Sequence, residues 1–226
     1  MKSLARLTVA ALALLLSITD GLSAKASPFA IYTYTDRDTF LAETFAPVVV
    51  DTFNDLPRGS IVFNNTVRTV TPYSYTLNAT GGLATVGPFV GGDTWMTTIN
   101  SNTVMSLVNI ASTFSDPGVN AIGAYFFVTD SNGISAVNET ITVTINGGKA
   151  PLTSSTASAT NFFGWKTYED ITSVEITVGA TANRFATMND VTFAVPEPST
   201  YAMLGLAITT GGLCRIRRRV FGKKAA

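Results

Sequence analysis

Two stretches of the chain alternate between apolar and polar side chains at every second residue. They are SVEITV at residues 173–178 and ETITVTIN at residues 139–146. A period of two is typical of a strand in an antiparallel sheet that buries one face and wets the other. A third stretch, AIGAYFFV at residues 121–128, is apolar almost throughout and predicts a strand covered on both faces.

Further short strands are predicted between clusters of Gly, Asn, Asp and Pro. Their segments are IYTYT, VVVDTF, YSYTLNA, GLATVG, TWMTTIN, TVMSLV, SATNFFGW and RFATMNDVTFA. Many short, threonine-rich strands with few helix formers predict a mainly β domain over residues 28–194, a jelly-roll-like antiparallel β-sandwich. PLTSSTASATN, at residues 151–161, is interpreted as an exposed loop or a poorly ordered crossing.

One segment departs from the strand pattern. In TDRDTFLAETF the apolar residues Phe40, Leu41 and Phe45 recur at helical intervals. Thr35 is a good N-cap residue, with Asp38 three positions later. The segment predicts a single short helix from Asp36 to Phe45, packed on the sandwich through its apolar side.

The first 26 residues have the order of a secretory signal peptide. A basic start is followed by an apolar run from Leu7 to Ile18 and by small residues up to a cleavage site after Ala26. The alternative is an uncleaved anchor helix, but this apolar run is short for a membrane span of about 20 residues. We therefore expect the secretion translocon to export the chain.

Residues 195–226 contain three features in sequence. The triplet Pro196, Glu197 and Pro198 favours an extended backbone. It is followed by an uncharged apolar run from Ser199 to Cys214 that predicts a transmembrane helix, and then by a basic cluster that includes Arg215, Arg217, Arg218 and Arg219. By the positive-inside rule these cations hold the end of the tail on the cytoplasmic side of the membrane. A linker followed by an ordinary buried helix is the alternative, which the adjacent cations disfavour.

This C-terminal order resembles the PEP-CTERM sorting signal of exported bacterial envelope proteins. The resemblance implies that the tail is held transiently in the inner membrane and that an exosortase recognises Pro196, Glu197 and Pro198, with the four arginines as the membrane stop. Four segments of the body, TDRDTFLAE, DTFNDLPRG, FFGWKTYEDITSVEI and NDVTFA, loosely resemble PEP-CTERM proteins that contain a single β-sandwich.

Composition narrows the chemistry of the body. The chain has no histidine, and its one cysteine, Cys214, lies in the apolar tail, which excludes a histidine-activated serine and a thiolate zinc site. Six basic against thirteen acidic residues between 28 and 195 give a charge of minus seven, which argues against nucleic-acid binding. A glycoside hydrolase could use two carboxylates. The candidate pairs are Asp36 with Asp38, Asp51 with Asp55, and Glu169 with Asp170, although helix starts and turns explain each of them.

Two kinds of ligand remain. Calcium needs only oxygen donors, and Asp130 and Asn132 in TDSNG look like half of a calcium loop, although a hairpin turn at Asn132 and Gly133 explains them equally. Asp190 is a second candidate calcium ligand, by resemblance to jelly-roll domains that hold an ion near the last strand. Trp95 and Trp165 are candidate sugar-binding side chains, although a strand tryptophan is more often buried.

The sequence therefore predicts an exported, non-catalytic protein of the cell envelope, cell surface or extracellular matrix. Its expected partners are the translocon, the inner membrane, an exosortase and exopolysaccharide, with no cofactor except a candidate structural calcium. A carbohydrate-binding module is the alternative, followed by a glycoside hydrolase that uses one of the carboxylate pairs.

Overall fold

The computed structural model describes residues 30–44, 48–87, 92–112 and 118–194. Fifteen strands and one helix occur in these ranges. The helix is α1 (Arg37–Thr44), and the strands are β1 (Tyr32–Tyr34), β2 (Val48–Asp51), β3 (Ile61–Val62), β4 (Thr66–Val70), β5 (Tyr73–Ala79), β6 (Leu83–Val86), β7 (Trp95–Thr98), β8 (Met105–Ser112), β9 (Ala121–Thr129), β10 (Ser135–Ala136), β11 (Glu139–Ile145), β12 (Lys149–Ala157), β13 (Phe162–Lys166), β14 (Ser173–Val178) and β15 (Phe185–Ala194).

The strands form two antiparallel sheets. The larger sheet has the order β1-β13-β9-β15-β7-β6-β3, with β10 beside β9 and β2 beside β15. The smaller sheet has the order β12-β11-β14-β8-β5-β4. This architecture confirms the predicted mainly β, antiparallel sandwich; its jelly-roll-like type stays a prediction.

A shared apolar core lies between the two sheets. The alternating strands β11 and β14 contribute Ile141, Val143, Val174 and Ile176, all fully buried, as their period of two predicts. The larger sheet contributes Met188 and other residues of its inward face. The face of the larger sheet that points away from this core is called the outer face below.

Helix α1 covers one end of the outer face. Its Phe40 is fully buried and packs at 5.5 Å between ring centroids on both Tyr34 and Phe162. The N-cap is Asp36 and not Thr35, since one Asp36 carboxylate oxygen accepts hydrogen bonds from the backbone N and the hydroxyl of Thr39 at 2.8 and 2.7 Å. The predicted short helix is thus confirmed at Arg37–Thr44. The last residue of its predicted range, Phe45, lies outside the described residues.

The prediction of a loop at residues 151–161 is wrong for residues 151–157. Residues Lys149–Ala157 form β12, which pairs with β11 along the edge of the smaller sheet. The β-branched threonines suit a strand, and β11 supplies the hydrogen-bonding partner that the segment lacks on its own. Its sequence shows no apolar alternation because an edge strand is exposed along much of its length.

The signal peptide and the sorting signal lie outside the described residues, and with them Pro196, Glu197, Pro198, Arg215, Arg217, Arg218 and Arg219. Within the ranges that the structure describes, no helix is both long and apolar enough to span a bilayer.

Candidate functional site: the outer face of the larger sheet

A β-bulge near the end of β15 brings two polar residues to the outer face. The pairing of β15 with β9 shifts register between Asn189 and Thr192, and Asp190 has a φ of 51°. Because Met188 and Val191 both lie in the core, Asn189 and Asp190 between them must both point outward. Two neighbouring side chains therefore project from the same place on this face.

The Asp190 carboxyl is partly buried and lies near two other charges. Burial and, after it, the negative charge of Asp93 raise its pKa, while the positive charge of Arg37 acts in the opposite direction. Asp93 lies just before β7, and Arg37 is the first residue of α1. The loop and the helix thus bring one acid and one base to the bulge. We call Arg37, Asp93, Asn189 and Asp190 the outer-face cluster.

Two polar atoms of the outer-face cluster are buried without a hydrogen-bond partner. They are Oδ1 of Asn189, whose side chain is 6% exposed, and Nε of Arg37. Buried polar atoms in proteins are nearly always paired, so each exception calls for an explanation. A carboxylate of raised pKa beside an unpaired amide oxygen can bind a cation through oxygen, and these are donor types that calcium prefers.

Trp95 lies on the same outer face. It is the first residue of β7, two positions after Asp93, and is partly exposed. Its ring stands nearly perpendicular to that of Phe127, with centroids 4.8 Å apart and an interplanar angle of 86°. The structure therefore places two of the predicted site residues, Trp95 and Asp190, on one surface.

Trp165 is not a surface residue, and its assignment as a sugar-binding side chain is wrong. It is fully buried in the core, and its indole N–H donates to the backbone oxygen of Ala150 at 2.9 Å. In β13 the residues Phe163 and Trp165 point inward while Phe162 packs under α1. Since both faces of this strand are covered, its sequence alone does not show on which side the tryptophan lies.

The Asp130 turn forms a separate feature. One Asp130 carboxylate oxygen accepts backbone hydrogen bonds from Asn132 and Ile134, both at 2.9 Å, and the bond from Ile134 contributes most to lowering its pKa. Gly133 has a φ of 72°, and a side chain there would meet Val86 at 2.9 Å. The residues TDSNG thus form the hairpin turn that was the alternative to a calcium loop.

Asp130 and Asp190 do not form one site. Thr129 pairs with Phe185, and Asp190 lies five residues further along β15, about 16 Å away at roughly 3.3 Å per residue. Among the described residues, no group of three or more His, Cys, Asp or Glu side chains is placed to hold a metal. An ion at the outer-face cluster would therefore also need amide or backbone oxygens.

The carboxylate pairs proposed for a hydrolase are each engaged in a structural contact. Asp36 caps α1. Glu169 pairs with Lys149 at 3.5 Å on the surface. Asp51 and Asp55 both accept hydrogen bonds from the guanidinium of Arg68. No member of these pairs was expected to bind Arg68, because β4 was not recognised as a strand.

The Arg68 contacts form what we call the inter-sheet network. Arg68 donates to Asp51 at 3.0 and 2.6 Å and to Asp55 at 2.9 Å twice. Asp51, only 3% exposed, also accepts from the Tyr75 hydroxyl at 2.7 Å and from the backbone N of Phe53 at 3.1 Å. The network joins β2 of the larger sheet to β4 and β5 of the smaller one.

Comparisons with known proteins find little. No family model matches the chain, and no curated protein matches it. Among solved structures, a K2 cleaved adhesin domain of Lys-gingipain is similar with a TM-score of 0.35 and 10% identity, covering 66% of this chain and 100% of that one. A likeness at this level carries no argument about this protein.

Proposed function

We propose that this protein is an exported component of the cell envelope, whose β-sandwich body is non-catalytic and whose tail directs sorting. The observation that carries the proposal is the C-terminal order of Pro196, Glu197 and Pro198, an apolar run and an arginine cluster. The signal peptide supports translocon-dependent export. Residence at the cell surface or among exopolysaccharide follows from this route.

The geometry of the body supports a non-catalytic role. A retaining or inverting hydrolase needs two carboxyl groups that face each other across a substrate. Asp51 and Asp55 instead share one guanidinium, and Asp36 is committed to a helix terminus. At least one acid of every candidate pair is therefore already engaged in a contact within the fold, and a hydrolase is the weakest of the three hypotheses.

Mass spectrometry of the protein recovered from its own host tests the sorting route. We expect the mature chain to lack residues 1–26 and to end near Pro196, and we expect the tail to remain attached in a host without its exosortase. Replacing Arg215, Arg217, Arg218 and Arg219 together by serine should release the tail from the inner membrane. A full-length chain in the cytosol with both ends intact would contradict the proposal.

We propose that the candidate structural calcium binds at the outer-face cluster and not at the Asp130 turn. The oxygen donors there are Asp190, Asp93 and the unpaired Asn189 Oδ1. Burial disfavours the ionised form of Asp190, and a bound cation would stabilise that form. Arg37 offsets only part of this negative charge. At Asp130, in contrast, one carboxylate oxygen is already occupied by two backbone N–H groups.

A thermal unfolding series with calcium and with a chelator tests this assignment. We expect calcium to raise the Tm of the wild type and of Asp130→Asn, and to leave the Tm of Asp190→Asn unchanged, because binding to the native state alone stabilises it. A calcium response that survives Asp190→Asn and disappears in Asp130→Asn would return the site to the turn. No response in any variant would remove calcium from the proposal.

A carbohydrate-binding role for the body is the second candidate function. It is favoured by aromatic side chains that are not fully buried in the folded domain, among them Trp95, a candidate from the sequence that is partly exposed. Two tyrosines at another edge of the sandwich are more exposed and carry the inference that follows.

A further inference from the structure

Two tyrosines at the β1 edge of the larger sheet stand out by their exposure. Tyr32 is 48% exposed and Tyr168 is 76% exposed. Large aromatic side chains lose favourable burial when they remain in water, which costs on the order of 1 kcal/mol or more each. Their exposure at one edge therefore suggests a surface that is covered by a ligand.

The two rings belong to one polar neighbourhood. Tyr32 pairs with Lys166 across the β1 and β13 ladder. Lys166 Nζ donates to the backbone oxygen of Glu43 at 2.6 Å, and the Tyr34 hydroxyl donates to Glu43 Oε2 at 2.9 Å. Tyr168 follows Lys166 by two residues, and a hydrogen bond between the Tyr32 and Tyr168 side chains raises the pKa of Tyr32, as do the charge of Tyr168 and burial.

The loop that carries Tyr168 is fixed on both sides. The backbone N of Thr167 donates to Asn120 O at 2.8 Å, and the backbone N of Ile171 donates to Val119 O at 2.6 Å. Thr167 is 6% exposed and Ile171 is fully buried. The ring of Tyr168 is thus displayed from an anchored loop, which lowers the conformational entropy lost when a ligand binds.

Charges of both signs lie near the two rings, Lys149 and Lys166 against Glu43, Glu169 and Asp170, and leave a net charge of only minus one. Lys166 lies beside Glu43, and Lys149 pairs with Glu169 at 3.5 Å, next to Tyr168. A strongly charged ligand would gain little net attraction here. The side chains offer both hydrogen-bond donors and acceptors around two flat apolar faces, a combination that suits a ring bearing many hydroxyl groups.

We propose that Tyr32 and Tyr168 form a binding platform for a neutral polysaccharide. Its pyranose rings stack on the two tyrosines, and the sugar hydroxyls form hydrogen bonds with Glu43 and Lys166. An extended sugar chain matches an open edge surface better than a proline-rich peptide does, since such peptides dock in grooves between aromatic walls. The proposal rests on the second candidate function and is independent of the sorting route.

Affinity electrophoresis of the full-length chain tests the platform. The protein is purified in a non-ionic detergent without a sugar headgroup and run through native gels that contain hydroxyethylcellulose, laminarin, galactomannan or dextran, with alginate as the charged comparison. We expect retardation by at least one neutral polysaccharide and little by alginate. Tyr32→Ala and Tyr168→Ala should each weaken binding about tenfold, and the Phe variants about twofold.

Phe63 provides a matched control. It is 77% exposed, close to the value for Tyr168, but lies between β3 and β4, away from the β1 edge. Phe63→Ala should leave the retardation unchanged, and equal Tm values would show that every variant is folded. Failure of all four neutral polysaccharides to bind, binding of alginate alone, or equal loss in Phe63→Ala would each overturn the platform. Preferential binding of a proline-rich peptide, or loss only in Trp95→Ala, would also overturn it.

These outcomes can be separated from a failure of the sorting proposal. The gel measures a property of the folded body, whatever the fate of the two ends. The mature mass measures cleavage at those ends, whatever the body binds. A protein that is cleaved but binds no glycan would remove the platform and keep the route.

Discussion

The inter-sheet network and the outer-face cluster each bring one arginine to two aspartates, with opposite results. In the inter-sheet network the three guanidinium nitrogens of Arg68 all donate to carboxylates. In the outer-face cluster Arg37 Nε has no partner among the described residues, nor has Asn189 Oδ1. The same residue types are therefore fully satisfied in one place and incompletely satisfied in the other.

The difference lies in what surrounds the charges. Arg68 is bounded by strands of both sheets and packs over the ring of Phe53 at 5.4 Å, so its position is fixed by the core. Asp190 is placed by a bulge on a face that only a helix terminus and a loop approach. A satisfied network stabilises a fold, whereas an unsatisfied one suits a ligand that completes it.

The largest expected effect comes from breaking the inter-sheet network. Arg68→Ala leaves the Asp51 carboxylate buried without its cation, which should lower the free energy of unfolding by about 3–5 kcal/mol. Urea denaturation of the full-length chain measures this loss. A decrease below about 1 kcal/mol would mean that the network contributes as little as a surface ion pair.

Removing one hydroxyl from the same network should cost less. Tyr75→Phe deletes the donor to Asp51 and keeps the buried ring, so we expect a loss of about 1.5–3 kcal/mol, the range for a hydrogen bond to a charged group. Burial, with the charge of Asp51, raises the pKa of Tyr75 well above 10, so the lost donor is a neutral hydroxyl. Tyr73→Phe is the matched control, since the Tyr73 hydroxyl is buried without a partner and its loss should not destabilise the fold.

At the outer-face cluster, in the absence of calcium, we expect the opposite effect: a substitution there should raise the free energy of unfolding. The pKa of Asp190 is raised above its ordinary 3.8, so its contribution favours folding below that value and is lost as pH rises through the folded-state pKa. Asp190→Asn should therefore stabilise the protein at pH 7, by about 1 kcal/mol or less. Unfolding free energies at pH 4 and pH 7 in a chelator measure this, and destabilisation at pH 7 would contradict it.

The smallest effect is expected at Asp55. Hydrogen bonds from Arg68 lower its pKa, so its contribution is present above 3.8 and is lost as pH falls through the lowered folded-state pKa. Because the Asp55 side chain is 63% exposed, solvent screens the pair, and Asp55→Asn should cost roughly 0.2–1 kcal/mol at pH 7. The cost should shrink at high salt; a salt-independent loss would indicate a packing effect.

The sequence predicted the strands whose own pattern of apolar and polar residues reflects their burial. Strands β11 and β14 alternate because one of their faces is buried, and β9 is apolar because both are. In contrast, β4 has the sequence TVRTV, and its exposed Val67 and buried ion pair hide the usual alternation. The edge strands β4 and β12 were missed because their burial depends on neighbours, whereas β1, which also lies at an edge, was predicted.

The candidate sites were less predictable, because they depend on contacts between distant segments. Arg68 meets Asp51 over 17 residues of chain, a pairing that no local pattern specifies. Trp165 and Tyr168 are three residues apart, yet one is fully buried and the other is 76% exposed. Which of them faces water is decided by where β13 ends and its loop begins.

The position of β15 has a consequence for the timing of folding. This strand is the last in the described chain, yet it lies inside the larger sheet, with β9 on one side and β7 and β2 on the other. The sheet therefore cannot close until residues 185–194 have been synthesised, and a polypeptide threaded N-terminus first through a pore would stay open until then. Late closure of this kind would suit the export that we propose.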